Sequence, residues 1–95
     1  MLAAMSSEVP VRLSQLLLDF ASNPAPVDEL VPLSYPLTHE AMAKIIGASR
    51  PHTSTVLRDL EEHGAVQRKS PQGLLVRPGT LKDIAARGRL REDPV

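Results

Sequence analysis

Apolar residues recur at helical spacing in several stretches of the chain, and segments rich in proline, glycine or short polar residues separate them. Leu13, Leu16, Leu17 and Phe20 share one face, Pro10 suits a first turn and Asn23-Pro24 suits an exit, which predicts a core helix over about 10–21. Four prolines between 23 and 36 (Pro24, Pro26, Pro32 and Pro36) block any continuing helix, so a loop is expected there, ending in a short edge strand near Leu33–Tyr35. Thr38 can cap a short helix over about 39–46 whose Met42, Ile45 and Ile46 face inward, and Gly47 supplies the turn after it.

Ser49 can cap a further helix reaching about His63, with Pro51 in the first turn, where its missing N–H is tolerated, and Gly64 closing the end. Val66–Lys69 and Leu74–Arg77 flank Ser70-Pro71-Gln72-Gly73, which predicts a β-hairpin. Beyond Pro78-Gly79, Thr80 can cap a last helix carrying Leu81, Ile84 and Ala85, before a charged tail from about Gly88 that is expected to fray. The fold class is mainly α with a small β-hairpin.

The chemistry-bearing stretch is the helix, turn and helix from Leu37 to Gly64. Such a pair needs a small residue where the helices cross, a turn residue tolerant of unusual backbone angles, and apolar residues beneath both helices. Ala43, Gly47, and the set Met42, Ile46, Ala48, Val56 and Leu60 fill those roles. Thr53 stands where valine or isoleucine would be more usual; its β-branch keeps the shape, but its hydroxyl needs a partner. On a helical wheel Val56, Leu57 and Leu60 turn inward, leaving Pro51, His52, Thr55, Arg58 and Glu62 on the outer side.

With 95 residues there is room for one domain with a modest core and little for an enzyme cleft. Only Phe20 and Tyr35 are aromatic, so the core is built from aliphatic side chains. No cysteine is present, which removes disulfides, Cys-based zinc sites and thiol nucleophiles and suits a reducing cytoplasm. Apolar runs such as Leu16–Leu18 fall far short of the roughly 20 residues that span a bilayer, so no membrane association is expected. Net charge is zero, yet residues 1–36 carry one base and four acids while 65–95 carry seven bases and three acids. The positive charge gathers in the last third, either as a nucleic-acid surface or as an ordinary basic tail.

His39, His52 and His63 lack the cysteine and carboxylate company of a zinc site, and no Gly-x-Ser-x-Gly elbow or glycine-rich phosphate loop accompanies the serines. Neither catalysis nor a cofactor or metal is expected.

The segment Leu-Thr-His-Glu-Ala-Met-Ala-Lys-Ile-Ile-Gly-Ala-Ser-Arg (37–50) resembles the helix-turn-helix signature of the Crp/Fnr family of bacterial transcription regulators. Val11–Ala21 is similar to the first helix of that family's DNA-binding domain, and Leu57–Gly64 with the basic hairpin to its recognition-helix end and wing. The resemblance covers most of residues 9–86 and implies a winged helix-turn-helix that binds double-stranded DNA with helix 50–63 in the major groove. Arg50, at the leading end, is suited to a bidentate pair with guanine O6 and N7. The family commonly has Glu directly after this Arg and, in many members, Arg four positions later; here Pro51 and Thr55 stand there, so an altered or relaxed preference is expected. Pro51, His52 and Thr55 join Arg50 as candidate base contacts. Thr38, His39, Ser49, Ser54, Arg58, Arg68 and Lys69 are candidate phosphate contacts, which orient a domain without specifying sequence. Arg58 has an equal claim to an ion pair with Glu61 or Glu62.

The resemblance further implies an effector-binding region and a dimerisation helix preceding this domain, a homodimer formed through them, and RNA polymerase as a partner. Residues 1–8 are expected to be the end of the dimerisation helix or an added leader, 9–87 the DNA-binding domain, and 88–95 a flexible tail. A competing reading, motivated by zero net charge and by Pro51 and Thr55, is a winged-helix protein-interaction module without DNA binding.

Overall fold

The computed structural model describes residues 8–21, 28–69 and 73–87. Among these the elements run α1 (Val9–Phe20), β1 (Val31–Pro32), α2 (His39–Ile46), α3 (Arg50–Glu62), β2 (Val66–Arg68), β3 (Leu74–Val76) and α4 (Pro78–Arg87). The expected leader apart from Glu8, the charged tail, and Ser70, Pro71 and Gln72 of the hairpin turn lie outside the described residues.

α1 is the axis of the core. Glu8 precedes it in an extended conformation and Pro10 sits in its first turn. It buries Val11, Leu13, Ser14, Leu16 and Leu17, a wider face than a single apolar stripe, because α2, α3 and α4 all pack against it. Leu13 and Leu17 meet Met42, Leu60, Val76 and Leu81 in one cluster of fully buried side chains. Each such side chain contributes about 1.5–3 kcal/mol relative to leaving it in water.

The expected edge strand is present but earlier in the chain. Pairing occurs at Val31–Pro32, with Leu33 bridging back to Ala21, and Tyr35 is exposed. The Ser34 amide and hydroxyl both donate to the Phe20 carbonyl, at 2.7 and 3.0 Å, and turn the chain away there. The sheet order is β1-β3-β2, antiparallel throughout, with Val31 and Val66 both opposite Val76. Pro32 is tolerated because β1 is an edge.

Thr38 caps α2 by accepting from the Ala41 amide at 2.9 Å, and Ser49 caps α3 by accepting from the His52 amide at 3.2 Å. Gly47 closes α2 in the left-handed conformation at φ 77°, where its amide and that of Ala48 both donate to the Ala43 carbonyl. Met42, Ala43 and Ile46 point inward as expected, but Ile45 does not: it is 56% exposed. An eight-residue helix with one buried face cannot turn every apolar position into the core, and Ile45 lies on the far side of Ile46 from Ala43. The last helix also begins sooner than Thr80. Buried Pro78 occupies its first turn, a position proline favours, so Thr80 is helical rather than a cap.

Candidate nucleic-acid interface

The inner face of α3 is Thr53, Val56, Leu57 and Leu60, all buried. Thr53, the one polar member, is fully buried, and its hydroxyl donates to the Ser49 carbonyl at 2.9 Å, so the hydroxyl that needed a partner finds it one turn back. With that face committed to the core, Arg50, Pro51, His52, Thr55 and Arg58 are left exposed on the other side. These include all four expected base-contacting residues, and they form one continuous outer surface from the leading end of the helix.

Backbone donors divide unevenly between the two helix starts. In α3, Pro51 has no N–H, the His52 amide is held by Ser49 Oγ, and the Thr53 amide donates to the Ser49 carbonyl, which leaves the Arg50 amide. In α2, Thr38 holds the Ala41 amide and the Met42 amide donates to the Thr38 carbonyl, which leaves the His39 and Glu40 amides. The start of α2 therefore offers an anion two amides and that of α3 one, each with the partial positive charge of a helix N-terminus. Each capping hydroxyl accepts through oxygen and keeps its own proton to donate.

Between the start of α2 and the hairpin runs an open trough of about 540 Å³, lined among others by Leu37, Thr38, His39, Arg50, Arg68 and Leu74. Arg68 lies two residues along β2 from buried Val66 and opposite Leu74, so the strand's alternation places it on the core-facing side, beyond the core's edge. His39 opens α2, and its Nδ1 lies 2.9 Å from Ser54 Oγ of α3. Ser54 is thus half-buried against α2 rather than on the open face with Thr55. Burial, the Arg68 guanidinium and the Arg50 guanidinium, in that order, hold the His39 pKa below its ordinary 6.5.

Arg58 makes no ion pair with Glu61 or Glu62 among the described residues; Glu61 instead meets Arg68, Oε1 to Nε, at 3.6 Å. Lys69 is exposed at the outer end of the hairpin, its amide donating to the Gly73 carbonyl at 3.2 Å. Sequence reasoning passed over Arg77. Its Nε donates to the Gly64 carbonyl at 3.0 Å and its Nη1 to the Asp28 carbonyl, so this cation braces the turn after α3 against the segment before β1. Half-burial just beyond β3, next to Val76, does not show in composition, though a basic residue following an apolar strand was the available signal. His52 and His63 sit at opposite ends of α3, and among the described residues no three potential ligands are grouped to hold a metal ion.

A capped reading helix on a crossing partner, flanked by a small basic hairpin, defines a winged helix-turn-helix, the DNA-binding domain of a transcription regulator. The sequence profile of the Crp-like helix-turn-helix domain matches residues 11–85, and the chain belongs to that family. Among solved structures it is similar to the CO-dependent transcription factor CooA from Carboxydothermus hydrogenoformans, with 22% identity and TM-score 0.67 over 86% of this chain and 38% of that one. It is similar too to the reduced CO-sensing protein from R. rubrum, at 27% identity and TM-score 0.62, over 87% of this chain and 38% of that one. A CRP/FNR-family transcriptional regulator from Thermus thermophilus matches at 21% identity and TM-score 0.68, over 87% of this chain and 43% of that one. The chain therefore spans about two fifths of the length of these structures. No curated protein matches it.

Among the described residues no helix is long and apolar enough to cross a membrane.

Proposed function

We propose that the protein regulates transcription by inserting α3 into the major groove of double-stranded DNA, where Arg50 reads a guanine. The observation that carries this is the division of α3: one face is wholly committed to the core, and the opposite face is exposed from a capped leading end. Arg50 supplies the bidentate fork that guanine O6 and N7 match. Pro51 and Thr55 add one apolar and one short polar contact, His52 reaches a base or a phosphate, and the resulting preference is narrower in hydrogen bonds than a fully polar face would give. Thr38, His39, Ser49, Arg58, Arg68 and Lys69 hold the backbone and set the register. Ser54 joins them through its contact with His39.

The domain acts by binding rather than by catalysis, within the cytoplasm, and RNA polymerase is the partner that turns its occupancy into regulation. In a longer protein a homodimer places two copies on half-sites about one helical turn apart.

Fluorescence-anisotropy titration of the domain and of Arg50→Ala, against a random-sequence duplex pool and a plain duplex over a salt series, tests the reading. Selection of a site by the parent, lost in Arg50→Ala at about 1–3 kcal/mol, is the expected result. Absence of duplex binding at low salt, persisting in an enforced dimer, overturns it in favour of a protein-interaction module.

A further inference from the structure

We propose that DNA binding by this domain is coupled to protonation of His39, so that it grips the phosphate backbone more tightly at acidic than at alkaline pH. The proposal rests on the DNA-binding reading and adds to it a regulation of the same surface.

The geometry is that of a weakly basic group held in a cationic trough. His39 stands at the first position of α2, half-buried, and Ser54 Oγ fixes its ring at 2.9 Å from Nδ1. A hydroxyl both donates and accepts, so this contact survives either protonation state of the ring. The charged groups around it come from three elements: Arg50 from α3, Arg68 from β2, and Glu40 from its own helix. Glu40 is 3.8 Å from Lys44 Nζ, and Glu61 is 3.6 Å from Arg68, so each nearby carboxylate already faces another cation. The balance left at the ring is positive. Without DNA, burial and the two guanidiniums favour the neutral imidazole.

A phosphodiester lying across the trough reverses that balance. Its charge offsets both guanidiniums and attracts the imidazolium directly, so the bound state holds the His39 proton more firmly than the free state. Linkage then requires that binding take up a proton and that acid strengthen binding to the same extent. Neutral His39 serves as a weaker contact at alkaline pH, whereas an arginine at this position would bind equally at both.

The test is the dissociation constant for a plain duplex between about pH 8 and about pH 5.5 at fixed ionic strength, for the parent, His39→Gln and His63→Gln, the last altering an exposed histidine at the far end of α3. The parent and His63→Gln are expected to bind more tightly at the acidic end, by up to roughly tenfold for each unit by which DNA raises the His39 pKa. His39→Gln, whatever its affinity, is expected to lose the greater part of this pH response. A flat parent profile, or a pH response that persists in full in His39→Gln, overturns the proposal while leaving DNA binding intact. Following the His39 ring resonances of the unsubstituted domain by NMR, with and without duplex, needs no variant; a pKa that DNA does not raise also overturns it. Loss of duplex binding at every pH removes the DNA-binding reading and the proposal together.

Discussion

Thr53 Oγ1 and the Thr53 amide both donate to the Ser49 carbonyl, each at 2.9 Å, so one backbone oxygen anchors the start of α3 twice. The amide alone satisfies that oxygen. Thr53→Val keeps the β-branched shape and removes a buried hydroxyl, and is expected to leave stability within about 1 kcal/mol of the parent. Thr53→Ala loses the packing as well and is expected to destabilise by about 1–2 kcal/mol. Urea denaturation of the two variants separates shape from hydrogen bonding at this position.

Arg50 and Arg58 occupy the same outer surface, but their expected effects differ. Arg58→Ala is expected to weaken binding uniformly across sequences and to lower the slope of log affinity against log salt by about 1, the signature of one lost phosphate contact. Measured beside Arg50→Ala on matched and mismatched duplexes, it must leave the ratio between them unchanged. A change in that ratio assigns Arg58 to base reading.

Ser14 lies on the buried side of α1 with no exposed surface, and its Oγ has no hydrogen-bond partner among the described residues. An unpaired buried hydroxyl is destabilising, and alanine fills nearly the same space. Ser14→Ala is therefore expected to raise stability by about 1 kcal/mol, read as a higher midpoint of thermal unfolding. No change in duplex affinity is expected, since α1 presents this face to the core.

Folding in the absence of DNA has the opposite pH sense from DNA binding. The folded protein holds the His39 pKa below 6.5, so the unfolded chain binds this proton more readily and stability rises with pH. The contribution is fully present above about pH 6.5 and is lost as pH falls through the lower folded-state value. Urea midpoints for the parent are expected to fall over that window relative to His39→Gln. Equal parent and variant profiles count against the electrostatic account of the trough.

Helix limits were legible because they are written in local chemistry: Thr38 and Ser49 supply side-chain acceptors, and Gly47 and Gly64 adopt positive φ. The outer and inner faces of α3 follow from a period that thirteen residues sample several times. The departures arise where sequence offers a choice that only packing decides. Ile45 and Ile46 are alike in hydrophobicity, yet the position of α1 selects one of them. The proline-rich approach to β1 shows no alternation, so the place at which Val31 meets Val76 is set by β3. Thr80 and Pro78 both suit a helix start, and burial of Pro78 decides between them. In the interface, Arg50, Thr55 and Arg58 were readable as exposed positions. The contacts of Ser54 with His39, Arg68 with Glu61, and Arg77 with two carbonyls link residues 15, 7, and 13 and 49 positions apart, and local pattern does not report such pairings.

Because Pro51, His52 and Thr55 are exposed while the residues beneath them carry the packing, the surface that chooses a DNA site is structurally separate from the scaffold that presents it. Thr55 in particular can be exchanged for a longer or differently charged side chain without opening a cavity or stranding a buried polar group. The domain is consequently a platform whose address can be rewritten: a library varied at those positions explores new operators at nearly constant fold stability.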